Sequence, residues 1–162
     1  MKTRLLAVFI AMLTLTSCGY SSKPLYSRTY RTVAVPIFAN KTFRREWEFR
    51  LTEALDKNIE SRTPYKLAAQ DKADTILTGE IVEISESVLT ERFGTDLPRE
   101  SQLTVAVNFT WKDRAGHVIV ERKNFNRSAT EIPQLGERVA DAEQSAIERL
   151  AAAIVEQMQT SW

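Results

Sequence analysis

Cys18 is the residue of this chain best placed for covalent chemistry. It is the only cysteine. Its thiol follows Leu15-Thr16-Ser17, at the end of an apolar run from Leu5 to Leu15 that Lys2 and Arg4 precede. A positive head, a short apolar middle and small residues at the end describe a secretory signal peptide. The run falls short of the roughly 18–20 apolar residues that a spanning helix needs. Leu-Thr-Ser-Cys has the form of a lipobox, at which bacterial lipoprotein precursors are cut before a cysteine that carries lipid. The expectation is that residues 1–17 are removed, that Cys18 becomes the acylated N-terminus, and that its several acyl chains hold the domain stably on a membrane. A lone cysteine allows no internal disulfide, although export implies an oxidising compartment. Gly19, not Asp, follows Cys18. In many Gram-negative bacteria an Asp there retains a lipoprotein at the inner membrane, so Gly19 points to the outer membrane.

The other reactive side chains suggest binding more than catalysis. Arg92, Arg99, Lys112, Arg114, Arg122, Lys123 and Arg127 fall in one stretch. Their cations could hold the phosphates or carboxylates of an anionic lipid, although Glu91, Glu100, Asp113 and Glu121 interleave with them as on a solvated face. The single histidine, His117, follows a turn glycine and reads as a hairpin position. Metal-ligand spacing, a glycine-rich phosphate loop and a Gly-x-Ser-x-Gly elbow are all missing. Glu80, Glu83 and Glu86 read as strand-surface charges. The chain is therefore expected to be no enzyme and to need no cofactor or metal. Loss of residues 1–17 takes the formal charge from +1 to −1, which gives no case for nucleic-acid binding.

The elements that must position these residues are legible in the hydropathy pattern. Gly19 to Arg28 is tether-like, so residues 18–30 read as a lipidated N-terminus and tether, and 31–162 as a single domain. Residues 31–38 read as a strand ending near Pro36. Asn40 or Thr42 could cap a helix whose apolar residues Phe43, Trp47, Leu51, Leu55 and Ile59 recur every four positions, bounded by Pro64. Tyr65 to Ala69 forms a short strand. A long one starts at Ala73 and runs toward Phe93, its alternation breaking near Ile81-Val82 as at a bulge. After a turn at Gly94 to Pro98, Leu103, Val105, Val107, Phe109 and Trp111 line one face of a half-buried strand, with Gln102, Thr104, Ala106, Asn108, Thr110 and Lys112 on the other. Asp113 to Gly116 turns into a hairpin partner, His117 to about Ser128. A last helix, about Glu137 to Gln159, carries the stripe Val139, Ala142, Ala146, Ile147, Leu150, Ile154 and Met158. Each helix has one apolar face to bury on a sheet. The expected fold is α+β: two amphipathic helices packed on one face of a mixed, mostly antiparallel four- to five-stranded sheet.

Four segments carry a family resemblance: Arg31-Thr-Val-Ala-Val-Pro-Ile-Phe-Ala-Asn-Lys-Thr-Phe43, Glu48-Phe-Arg-Leu-Thr-Glu-Ala-Leu55, Ala73-Asp-Thr-Ile-Leu-Thr-Gly-Glu-Ile81 and the C-terminal Ala146-Ile-Glu-Arg-Leu-Ala151. With the lipobox, the chain resembles the lipopolysaccharide-assembly lipoprotein family LptE. The resemblance implies a non-catalytic outer-membrane lipoprotein, facing the periplasm, that plugs the β-barrel translocon LptD and binds lipopolysaccharide through basic residues. No motif assigns those basic positions here. The segments Val33 to Asn40 and Ala73 to Ile81 also resemble lipoproteins of the curli-secretion channel and activators of peptidoglycan synthases. A channel would need long hairpins alternating for a barrel wall, and the 99–127 hairpin, with Lys112 and Arg122, suits lipid poorly. The activator reading predicts a peptidoglycan synthase as partner in place of a barrel.

Overall fold

The computed structural model describes residues 25–91, 98–131 and 139–159, with side chains except at 88–91, 98–101, 131 and 139. Cys18, Arg92 and Glu137 thus lie outside the described residues, as does most of the Gly94 to Pro98 turn. Six strands form one mixed sheet: β1 (Thr32–Ala34), β2 (Ala39–Asn40), β3 (Lys66–Leu67), β4 (Thr75–Glu91), β5 (Pro98–Asp113) and β6 (Val118–Glu131). The spatial order is β3-β1-β4-β5-β6, with β2 also alongside β4. β1 and β2 run parallel to β4, whereas β4, β5 and β6 form a long antiparallel meander. Among the described residues, two helices, α1 (Trp47–Arg62) and α2 (Val139–Glu156), complete the expected α+β architecture. Among the described residues no helix is long and apolar enough to cross a membrane.

Alternation puts the core on one face. Leu103, Val105, Val107, Phe109 and Trp111 of β5, and Leu77 and Ile81 of β4, are buried against Leu51, Leu55 and Ile59 of α1 and Ile147, Leu150 and Ile154 of α2. The helices are tied by Arg50, whose guanidinium lies 2.9 Å from the Glu143 carboxylate and 5.6 Å above the Trp47 ring. The β4–β5 register shifts between Ile81 and Glu83, where the alternation of the sequence breaks.

One expectation fails at the start of α1. Phe43 does not belong to the buried stripe: it is fully exposed, and the helix begins at Trp47. Neither Asn40 nor Thr42 is the cap. That position is held by Glu46, in the left-handed region at φ 73°, with no side-chain cap bond. The physical cause is a competing turn. The Asn40 side-chain amide donates to Arg44 O at 2.7 Å and to Glu48 Oε2 at 2.7 Å, while its oxygen accepts from Thr42 N and Thr42 Oγ1. Short polar side chains that bond to nearby backbone offer it an alternative to the helix. The first strand also ends at Ala34, short of Pro36.

Candidate functional site

The edge strand β6 carries three of the cations singled out above, and its geometry depends on a bulge. Asn124 has φ 51°, and the β5–β6 register shifts between Val107 and Phe109. Asn108 holds the bulge: its side-chain oxygen accepts from Asn124 N at 2.8 Å, and its amide donates to Glu80 Oε1 at 2.9 Å. Glu80 also pairs with Lys41 at 2.7 Å. The hydrogen bonds from Lys41 and then Asn108 hold its carboxyl below the usual range. A polar chain therefore crosses the sheet from β6 through β5 to β4 on the face away from the helices.

The proposed cations do not form one cluster. Arg122 pairs opposite Phe109 and Arg127 opposite Val105, so both stand on the helix-facing side of β6. Arg122 Nε donates to Gln157 Oε1 at 3.1 Å and its Nη1 to Glu121 O at 2.9 Å. The Arg127 guanidinium lies 4.7 Å over the Phe125 ring and donates to Asn126 O. Lys123 sits in the bulge, 3.8 Å from Glu121. Lys112 is half-buried and pairs with Ile76 and Val118 on the polar face. Arg114 is in the turn after β5, where its Nη2 donates to Asp71 O at 2.7 Å. Arg99 lies at the far end of β5, between the Glu91–Pro98 and Thr90–Glu100 pairs. His117 is a turn residue, as expected: its backbone N and its ring Nδ1 both meet the Asp113 carboxylate at 2.9 Å. That contact keeps the Asp113 carboxyl low.

Among the described residues, clefts border β6 on several sides. One of about 660 Å³ at the end of the sheet is lined by Tyr30, Trp111, Val120, Arg122, Gln157 and Met158, among others. A second, about 550 Å³, runs between β6 and α2 beside Arg127, Arg149 and Glu156. A third, about 350 Å³, opens on the polar face over Glu80, Asn108, Thr110, Arg122 and Lys123. Arg149, which donates to Ser128 O at 3.2 Å, was absent from the sequence-derived set. Only the packing of α2 along β6 brings it beside Arg127. The end cleft adjoins an aromatic group, in which Tyr26–Tyr65 and Tyr65–Trp111 ring centroids are 5.8 Å apart and Tyr30–Trp111 6.2 Å. The Trp111 indole N–H is buried without an acceptor among the described residues. Chemically, these clefts set cations beside apolar or amide walls and beside carboxylates, Glu156 in the first two and Glu80 with Glu121 in the third, a mixed lining that can hold both the charged and the apolar part of an amphiphile.

The sequence model described as LptE: Lipopolysaccharide-assembly matches residues 30–161. No curated protein sequence matches. Among solved structures, the PelC dodecamer from Paraburkholderia phytofirmans is similar at 18% identity and a TM-score of 0.54, covering 86% of this chain and 96% of that one. Lipoprotein B from Nitrosomonas europaea is similar at 12% identity and TM-score 0.52, over 84% of this chain and 90% of that one. Protein XCC0632 from Xanthomonas campestris has 12% identity and TM-score 0.53, over 84% and 88%. At these identities the likeness is one of fold.

Proposed function

The chain belongs to the LptE lipopolysaccharide-assembly family, and on that premise we propose that it is an outer-membrane lipoprotein that partners and plugs an LptD-type β-barrel and aids lipopolysaccharide assembly there. The observation that carries this reading is the family match, which spans residues 30–161 and so takes in both helices and all six strands. In this proposal residues 1–17 are the signal peptide, Cys18 carries the lipid, residues 18–30 are the tether, and the domain from residue 31 faces the periplasm. The protein performs no catalytic step, requires no cofactor and contacts no nucleic acid.

The geometry supports a lipid-handling surface along β6. Arg122 opens into both the end cleft and the polar-face cleft, so one guanidinium is available beside apolar walls and beside the Asn108 network. The remaining cations, Arg92, Arg99, Lys112, Arg114, Lys123 and Arg127, are proposed as further contacts to lipopolysaccharide phosphates.

The test is affinity purification of the mature lipoprotein from detergent-solubilised outer membrane, with mass identification of co-purifying chains. A large β-barrel chain at near-equal amount supports the plug. A peptidoglycan synthase in its place moves the protein to the activator class. In the same preparation, Arg122→Glu with Lys123→Glu is expected to weaken lipopolysaccharide capture while the melting curve holds. Both side chains are exposed, so unchanged capture removes them from the binding surface.

A further inference from the structure

Phe43 is fully exposed, although Trp47, Leu51, Leu55 and Ile59, which follow it at the same four-residue spacing, are buried. Its display is built into the fold. Asn40 clamps both ends of the turn, to Thr42 on one side and to Arg44 O and Glu48 on the other. Lys41 N donates to Ile81 O at 3.0 Å, which fixes the turn to β4. The left-handed Glu46 then lets α1 begin only at Trp47. An aromatic ring held in water by this many bonds is a presented group.

Its surroundings define what it fits. Ile37 and Phe49 are also more than half exposed. Lys41, Arg44 and Arg45 flank Phe43, and residues 41–45 contain no acid. Two of these cations are ion-paired, Lys41 with Glu80 on the sheet face away from the helices, and Arg44 with Glu86 and Glu143 on the helix side, both at 3.6 Å. The donors Lys41 N, Thr42 N, Thr42 Oγ1 and Arg44 N are already used inside the protein. What the turn offers outward is an apolar ring among cations, with few directional hydrogen bonds. That chemistry suits a fluid anionic interface, where a ring inserts and Lys or Arg meets phosphates, better than a protein socket that reads hydrogen bonds.

We propose that the 41–45 turn is a membrane contact, in which Phe43 inserts into an anionic phospholipid leaflet and Lys41, Arg44 and Arg45 meet its phosphates. The contact goes beyond the assembly role and stands apart from the barrel partnership. It is compatible with an anchor at Cys18. Tyr26 packs on Tyr65, just past the C-terminal end of α1, and that helix is about 24 Å long. The chain from Cys18 to Leu25 reaches at most about 25 Å, so in the anchored protein before it seats in a barrel, anchor and turn meet one leaflet when α1 lies along it.

The experiment uses the mature chain carrying Cys18→Ser, so that no acyl chain contributes. It measures co-sedimentation with vesicles of phosphatidylethanolamine and phosphatidylglycerol, and with vesicles of phosphatidylcholine alone. Phe43→Ser is expected to lower the partition coefficient by about tenfold or more on phosphatidylglycerol vesicles, the effect of a buried Phe. Arg45→Gln is expected to lower it about fivefold on those vesicles, with no change on phosphatidylcholine. Phe43→Trp is expected to show a blue-shifted emission on the anionic vesicles. Unaltered melting curves confirm that the substitutions act at the surface. Failure of the parent chain to bind anionic vesicles, or equal partition of Phe43→Ser, overturns the proposal. So does a Phe43→Ser variant that keeps its vesicle binding and loses a co-purifying protein. Each result is read separately from the barrel purification, which tests the assembly role.

Discussion

Gly79→Ala is a substitution for which two physical effects compete in sign. In an open strand, Ala is the more stable residue, because Gly loses more conformational freedom on folding, by roughly 0.5–1 kcal/mol. Gly79 is not open. It lies on β4 opposite Phe109, and a Cβ there would collide with the Phe38 ring and come within 2.7 Å of the Asn108 carbonyl oxygen. Phe38 is 2% exposed, and its backbone N–H donates to Thr52 Oγ1 at 3.2 Å, so the ring has no free direction in which to retreat. The Asn108 carbonyl belongs to the ladder backbone. Overpacking of this kind costs about 1–3 kcal/mol. With backbone as one obstacle, about 2 kcal/mol net of the glycine entropy is expected. For a domain of this size that is a fall in Tm of roughly 6–8 °C. Urea unfolding and a thermal melt of the single variant measure it. Phe38→Leu in both backgrounds then isolates the ring's share, with a coupling of about 1 kcal/mol expected. A Gly79→Ala protein as stable as wild type, or more so, refutes the packing argument. Strict additivity with Phe38→Leu refutes the assignment of the collision to the ring.

Two carboxylates give opposite pH signatures. Asp74 Oδ2 accepts from Arg31 N at 2.9 Å and Thr32 N at 3.0 Å, and these bonds hold its pKa below the ordinary value. Its stabilisation is present above the unfolded-state pKa and is lost as pH falls through the depressed folded one. Asp74→Asn is therefore expected to melt lower at neutral pH and to show a flatter acid limb in Tm against pH. Equal acid limbs would exclude this role. Asp56 is the reverse: burial first, then the Glu60 charge, raises its pKa, and its Oδ1 has no partner among the described residues. The ionised group opposes folding until pH falls below the raised pKa. Asp56→Asn is expected to melt modestly higher at neutral pH and to lose the gain on mild acidification, and a lower Tm contradicts it.

The fold was legible where one face had to be buried. The β5 row from Leu103 to Trp111 and the α2 stripe from Ala142 to Met158 both read correctly, because each alternation or stripe has a single burial solution. The β4 bulge announced itself as a broken alternation at Ile81-Val82. The start of α1 misled because spacing records where apolar residues fall and says nothing of whether the backbone stays helical between them. The clue was Asn40-Lys41-Thr42 itself, read as a cap when its side chains instead organise a separate turn. For the candidate site, sequence order does not reveal faces. Arg122 and Arg127 are five apart, which in a regular strand puts them on opposite faces. The bulge at Asn124 adds a residue, so they stand on the same side, opposite Phe109 and Val105. Lys112 belongs to the other face, and Arg149 joins only through the docking of α2.

The lengths of the elements carry a last consequence. β4 has 17 residues and β5 has 16, about 55 Å of strand at some 3.3 Å per residue. α1 and α2 have 16 and 18 residues, about 24 and 27 Å. The helix layer therefore covers about half of the ladder. Its near edge is marked by Arg44, which reaches both Glu143 at the start of α2 and Glu86 on β4. Beyond Glu86 the β4–β5 ladder continues through the Ser87–Gln102 pair to Glu91–Pro98, past the ends of the helices. Among the described residues no second layer covers this ribbon, and two or three strands alone are marginal in water, so its value to the protein lies in what covers it on assembly. In the proposed complex that cover is the wall of the barrel. Ser87 and Gln102 are paired in register, so replacing 88–101 by Asn-Gly closes the ladder with the favoured two-residue hairpin turn. The shortened protein is expected to unfold cooperatively, with a Tm within about 5 °C of wild type, because it keeps Leu77 and Ile81 of β4 and Leu103, Val105, Val107, Phe109 and Trp111 of β5, which pack on both helices. It is expected to lose the barrel chain in affinity purification. Retention of the barrel at wild-type amount, with the fold intact, shows that the plug is held by the two-layered body and that the projecting ladder serves another partner.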